Sequence, residues 1–152
     1  MSDCVFCSFL AGADTDWNRE SDIVLRTERV TAFISPRWWP ANEGNVIVVP
    51  NSHVADLESI DDGLLAEVYV AAKLIARAMR ESYGCRGTST RQHNGRAAGQ
   101  EVEHLHVHVF PRYSGDELYA RDAEHRFASP EERGRYAEQV RAALRSVGEP
   151  GS

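Results

Sequence analysis

Three histidines, His104, His106 and His108, occupy alternate positions in EHLHVHVF (103–110), and they are half of the six histidines in the chain. Imidazole changes charge close to neutral pH, so it can serve there as nucleophile, proton carrier or metal ligand. Successive side chains of an extended strand point to opposite faces. Val102, His104, His106, His108 and Phe110 are therefore expected on one face, and Glu103, Leu105, Val107 and Val109 on the other. Same-face neighbours lie roughly 7 Å apart and the outer two histidines roughly 13 Å apart, so a single phosphate or metal ion cannot meet all three. The spacing predicts different tasks for the three. A plain solvated strand face is the ordinary alternative, but three imidazoles in register are an unusual choice for one.

The second group with possible chemistry is Cys4-x-x-Cys7. With Cys85 the chain has three cysteines, which do not make a disulfide framework, and a reduced C-x-x-C pair is commonly a metal or redox motif. A thioredoxin-like role needs a preceding strand, and none is legible here. Two buried thiols and half of a tetrahedral metal site remain the competing readings.

The elements that must hold these groups are legible in outline. DIVLRTE and RVTAFI read as two short strands meeting at a turn near Glu28, and NVIVV (45–49) as an apolar strand stopped by Pro50. Between them SPRWWPANEG (35–44) reads as a loop containing Trp38 and Trp39. A long helix is expected next. Ser59 and Asp61 are candidate N-caps, Leu64, Val68, Ala72, Ile75 and Met79 form one stripe, and Gly84 is a C-terminal stop. GTSTRQH (87–93) reads as a strand, NGRAAG (94–99) as a flexible loop, and VEHLHVHVF (102–110) as the next strand, ended by Pro111. Ser129-Pro130-Glu131-Glu132 is a capping box with Pro at the first helical position, opening a helix to about Ser146. The order predicts an α+β domain: an antiparallel sheet of about five strands with one long helix and a C-terminal helix packed on it.

Composition narrows the partners. One domain over 1–152 is the simplest organisation, with a core about 4–113 and a C-terminal extension about 114–152. The net charge of −6 argues against a grip on polymeric nucleic acid or anionic membrane, which needs clustered cations. It leaves room for a small phosphorylated ligand held by a few donors. No apolar run reaches the length of a membrane span, and MSDCVFCSFLAG lacks the pattern of a signal peptide, so a cytoplasmic location is expected.

QHNGRAAGQEVEHLHVHVFPR (92–112) resembles the signature of the histidine triad (HIT) superfamily, in its hydrolase-type His-x-His-x-His branch. CVFC near the N-terminus and NVIVVPNSH (45–53) match in the same order, and the resemblance covers roughly residues 4 to 113. It implies a HIT-like fold and a homodimer. It also implies a hydrolase of nucleoside phosphoramidates, dinucleoside polyphosphates or similar nucleotidyl conjugates, with a purine nucleotide as the bound moiety. His106 is then the nucleophile that forms a covalent nucleotidyl-histidine, its other ring nitrogen held by a backbone carbonyl. His108 is the partner that binds phosphate and assists the leaving group, with backbone N–H groups around Gly99 to Val102 cradling phosphate oxygens. A histidine at 108, where transferases of the superfamily have glutamine, points to hydrolysis.

The resemblance further implies phosphate or substrate contacts from His93, Asn94, Gly99, Gln100, Asn45 and Ser35, and a base pocket of Val5, Phe6, Phe33 and Ile47. It completes a structural zinc site, Cys4, Cys7, His53 and His104, as in the zinc-binding C-x-x-C variety. The chain departs from the family pattern at Asn45, where most relatives carry histidine. It departs also at His93, where many carry Asn or Gln, and in the longer loop 35–44, where Ser35 stands at the ribose-binding position. His93 is otherwise a turn histidine. Trp38 and Trp39 either cover the substrate or pack against a partner subunit, and Arg112 lies near enough to the triad to attract phosphate. Two other functions compete: a nucleotide-binding module with little turnover, and a metallohydrolase with catalytic zinc on His104 and His106.

Overall fold

A computed structural model describes residues 4–147. The elements run α1 (Val5–Leu10), β1 (Ile23–Arg26), β2 (Val30–Ile34), β3 (Arg37–Trp38), β4 (Val46–Pro50), α2 (Asp62–Ser82), β5 (Gly87–Arg91), β6 (Val107–Arg112), β7 (Arg126–Phe127) and α3 (Pro130–Val147). Five strands form one sheet in the order β1-β2-β4-β6-β5, every neighbouring pair antiparallel. β3 and β7 pair separately. This is the expected α+β architecture.

Alternation along the central strands sends side chains to two different layers. Val46, Val48, Val107 and Val109 join the large core beneath α2 and α3. Ile47 and Val49 point the other way and pack with Phe33 of β2 and with Phe6 and Phe9 of α1. The sheet thus has a helix-covered face and a face that carries α1 and the triad.

The helices follow the local signals. Asp61 caps α2 by accepting from the Leu64 N–H at 3.0 Å, and Leu64, Val68, Ala72, Ile75 and Met79 are all buried. Gly84, at φ +69°, supplies the left-handed residue that ends it. In α3, Ser129 Oγ accepts from the Glu132 N–H at 3.1 Å while Glu132 accepts from the Ser129 N–H at 2.9 Å. Ala137, Val140 and Leu144 of α3 lie in the same core as α2, so the C-terminal segment is part of the packing. No helix among the described residues is long and apolar enough to cross a membrane.

The six residues VFCSFL, to which the sequence reading assigns no element, form a helix, α1, with Cys4 as its N-cap. Two expectations need correction. The loop 35–44 contains β3, and Trp38 is buried against Tyr136 with its indole N–H donating to the Ser35 carbonyl at 2.7 Å. Its ring is packed into the core, 1% exposed. The strand read over 102–110 begins only at Val107. Opposite its missing part stands Pro50, which has no N–H to donate. The Leu105 N–H goes instead to the Val54 carbonyl at 2.7 Å.

An ion pair sealed from solvent ties α3 to the start of β1. Asp22 is 0% exposed and Arg133 5%, with Nε to Oδ2 at 3.0 Å. The same oxygen accepts from Asn18 Nδ2 at 2.8 Å and the Arg19 N–H at 2.9 Å. Removing one partner of a buried pair strands the other charge. Asp22→Ala is therefore expected to lower the unfolding free energy by about 3–5 kcal/mol in urea denaturation; a loss within experimental error contradicts this role.

Candidate functional site

The triad straddles the start of β6. His104 is fully buried. Its Nε2 lies 2.9 Å from the Pro50 carbonyl, which can only accept, so Nε2 carries the proton. Nδ1 is then the lone-pair nitrogen, and it faces Cys4 Sγ at 3.4 Å and Cys7 Sγ at 3.6 Å. The backbone carbonyl of His104 lies 2.8 Å from His106 Nδ1. By the same reasoning His106 is protonated at Nδ1 and presents an Nε2 lone pair. His108 Nδ1 lies 3.4 Å from Asn45 Oδ1. Burial is the leading cause that pushes all three imidazoles below the ordinary histidine range, His108 furthest. The rings form a row: Phe6 stands edge-on to His106 (5.2 Å between centroids), His106 edge-on to His108 (5.4 Å), and His108 stacks on Phe110 (5.4 Å).

Cys4, Cys7, His53 and His104 each offer one ligand atom, and these atoms all lie within 4.8 Å of one another. The third close pair is Cys7 Sγ to His53 Nδ1 at 3.3 Å. Tetrahedral zinc with bonds of about 2.3 Å to sulfur and about 2.0–2.1 Å to nitrogen spaces its ligand atoms about 3.5 Å apart. The donor set, the spacing and the orientation of His104 by the Pro50 carbonyl all fit such a metal. Helix α1 makes the set possible by placing Cys7 one turn beyond its N-cap, where the Cys7 N–H donates to Cys4 Sγ at 3.3 Å. His106 is not in the cluster.

A cavity of about 860 Å³ opens beside His106 and His108. Of the residues expected to bind substrate, Val5, Phe6, Ile47, Ser35, His93 and Gly99 line it. Phe33 lies one layer behind, wholly buried against Phe6 and Phe9. Asn45, Asn94 and Gln100 are turned into the scaffold. Asn45 Nδ2 donates to the Arg37 carbonyl at 2.9 Å while its oxygen faces His108, so it joins the 35–44 loop to the triad. Asn94 Oδ1 accepts from the Leu57 N–H at 2.7 Å. Gln100 accepts from the Gly95 N–H at 2.6 Å and donates to the carbonyls of Ala55 (2.7 Å) and Val102 (3.0 Å). The Ser35 hydroxyl, in a buried residue, is engaged with the backbone of Arg37.

The loop before the triad folds into a short 3₁₀ turn, Arg96–Ala98, closed by Gly99 at φ +95°. A Cβ on Gly99 lies 3.1 Å from His93 Nδ1, so glycine is needed for both the turn and the approach of His93. The Gly99 and Gln100 N–H groups close this turn by donating to Arg96 and Gly95. Arg112 is held by Asp116 at 2.8 Å through two nitrogens and is not a lining residue.

Further lining residues include Trp39 and, with no local signal in the sequence, Arg37, Arg91 and Glu101, with Tyr119 and Asp122 from the segment before β7. Arg37 pairs with Glu101 at 2.9 Å and holds that carboxyl below the ordinary glutamate range. Trp39 is buried, edge-on to Phe110, and its indole N–H donates to Asp122 at 3.2 Å. Of the adjacent pair Trp38 and Trp39, only Trp39 reaches the cavity, which Trp17 also lines.

A five-stranded antiparallel sheet with a histidine triad at the start of one central strand, a Cys₂His₂ cluster beside it and a ligand-sized cavity defines a histidine-triad protein with a candidate metal cluster near its N-terminus. The HIT domain model matches residues 17–115, and the chain belongs to the HIT family. Protein hit of Bacillus subtilis is 34% identical over 110 residues, 72% of this chain and 71% of that one. A zinc-bound histidine triad family protein from Mycobacterium smegmatis superposes with a TM-score of 0.78 at 30% identity, covering 97% of this chain and 99% of that one. The diadenosine triphosphate hydrolase of Plasmodium falciparum shares the fold, with a TM-score of 0.72 at 14% identity over 93% and 97% of the two chains.

Gln100 braces both the turn and the strand bearing the triad. Gln100→Ala removes the partner of the Gly95 N–H and of the Ala55 carbonyl and one of the two donors to the Val102 carbonyl, and is expected to cost about 1–3 kcal/mol of stability in chemical denaturation. An unchanged midpoint contradicts the bracing role.

Proposed function

We propose that this chain is a hydrolase of nucleotidyl conjugates, cleaving the α-phosphate linkage of nucleoside phosphoramidates or dinucleoside polyphosphates through a nucleotidyl-histidine at His106. The single observation that carries the reading is the 2.8 Å contact between His106 Nδ1 and the His104 carbonyl, beside the cavity. It fixes the tautomer that keeps Nε2 unprotonated for attack on phosphorus.

In the first step Nε2 forms a bond to the α-phosphorus as the bond to the leaving group breaks. In the second, water displaces the histidine. Burial disfavours the His108 cation in the free protein, and a bound phosphate favours it, because an adjacent negative charge stabilises imidazolium. His108 is thereby suited to donate a proton to the departing group. The Glu101 and Val102 N–H groups make no backbone hydrogen bond among the described residues and are the donors for the phosphate oxygens. Val5, Phe6 and Ile47, joined by Phe9, form the apolar end of the cavity that suits a purine base. His93, which lines the cavity beside Gly99, contacts the phosphate in this reading. Homodimerisation belongs to the same reading, and Tyr69 and Val70 on α2, 40% and 46% exposed, offer apolar surface for it.

Cys4, Cys7, His53 and His104 are the residues that would hold zinc in this reading. A bound metal would supply a cross-link between α1, the segment after β4 and the backbone leading into β6. His106 stands outside the ligand set, which favours structural over catalytic zinc.

Two outcomes are expected. Mass spectrometry of protein quenched with an adenosine phosphoramidate shows an adenylyl adduct on wild type or on a variant with slowed release, and His106→Ala abolishes both adduct and turnover. Tight mononucleotide binding with no turnover on either substrate class decides instead for a binding module. Elemental analysis gives one zinc per chain, lost in a Cys4→Ser, Cys7→Ser double variant that also melts at a lower temperature. Full zinc content in that variant contradicts the assignment.

A further inference from the structure

Two arginines line the cavity, and they differ in what holds them. Arg37 is neutralised by Glu101. Arg91 forms no ion pair among the described residues, and its Nε is buried without a hydrogen-bond partner. A guanidinium nitrogen withdrawn from water with no partner is costly, so a role outside internal packing is to be sought for this side chain. The guanidinium is set against two aromatic rings, 5.3 Å from the Trp39 centroid and 4.9 Å from that of Phe110. Such faces hold a cation without neutralising it.

Its place in the sheet is equally specific. Arg91 is the last residue of β5 and pairs directly with His108 on β6, so the two side chains rise from the same face. The row of rings runs Phe6, His106, His108, Phe110, Trp39. Phe6 is the apolar end, where the nucleoside fits. Arg91 stands at the opposite end, beyond His108. The two carboxylates that line the cavity have other partners, Glu101 in Arg37 and Asp122 in the Trp39 indole.

We infer that Arg91 is a specificity-determining residue that binds the anionic phosphate chain of the leaving group, so that the preferred substrates are nucleotidyl conjugates with a phosphorylated leaving group. The inference rests on the proposed nucleotidyl-transfer chemistry. With the nucleoside at the Phe6 end and His106 attacking phosphorus between the two ends, the departing group extends toward Arg91. A guanidinium meets phosphate oxygens through paired N–H donors, which an uncharged amine or alcohol leaves unused.

The test compares diadenosine triphosphate with adenosine 5′-phosphoramidate as substrates of the full-length protein. The two share the adenylyl group and differ in the leaving group. Arg91→Gln is expected to lower kcat/KM for diadenosine triphosphate by about 10–100-fold, the loss typical of a charge-assisted hydrogen bond. It is expected to change kcat/KM for the phosphoramidate by less than about threefold. Arg91→Lys, which keeps the charge but not the fork, is expected to fall between them, and it supplies the same comparison should the Gln variant not fold. Equal losses on both substrates, or none on either, overturn the role of Arg91 while leaving His106 chemistry intact. A wild-type protein that turns over neither substrate overturns the underlying chemistry and this inference with it.

Discussion

His104 does two jobs with different atoms, and the site depends on the combination. Its ring is buried, with one nitrogen pinned by the Pro50 carbonyl and the other facing two cysteine sulfurs. Its backbone carbonyl holds the His106 ring. A displacement of the ring toward or away from the thiols moves the carbonyl, and the carbonyl sets which nitrogen of His106 keeps its lone pair. The cluster at the N-terminus and the proposed nucleophile are thereby one mechanical unit, with a single residue between them.

The strand geometry explains why this unit sits where it does. Pro50 cannot donate to a neighbouring strand, so the ladder between β4 and β6 stops at Val48 and Val107. The carbonyl of Pro50, released from the ladder, becomes the acceptor for His104. From Val107 onward alternation resumes, burying Val107 and Val109 under α2 and returning His108 and Phe110 to the open face. The irregular start and the regular remainder of the segment together put three imidazoles into three environments: a ligand cluster, the cavity beside α1, and a stack on Phe110.

Much of this was legible in the sequence because it is written in local patterns. The α2 stripe, its Asp61 cap and the Ser129–Glu132 box act within a turn or two of the chain, and each forms as expected. The alternation of the triad is also local, whereas the Cys4, Cys7, His53 and His104 cluster was legible only through resemblance, since residues as far apart as Cys7 and His104 have no local relationship. What stayed hidden depends on tertiary sidedness. β3 and β7 are two residues each and pair across most of the chain, too short to leave a periodic signal. Trp38 and Trp39 are adjacent in sequence and project to opposite sides, one into the core and one into the cavity. Asn94 and Gln100 carry groups suited to phosphate, yet backbone donors and acceptors of the surrounding loops claim them first. Arg91 had no signal of its own, because its meaning comes from a cross-strand partner and two distant rings.

The central claim is that the His104 carbonyl fixes His106 as the Nδ1–H tautomer with Nε2 unprotonated. Nitrogen-15 NMR of the histidine rings in the metal-loaded protein near neutral pH tests this directly. The account predicts that His106 shows a protonated Nδ1 and a bare Nε2. A ring protonated at Nε2, or a doubly protonated imidazolium, contradicts it.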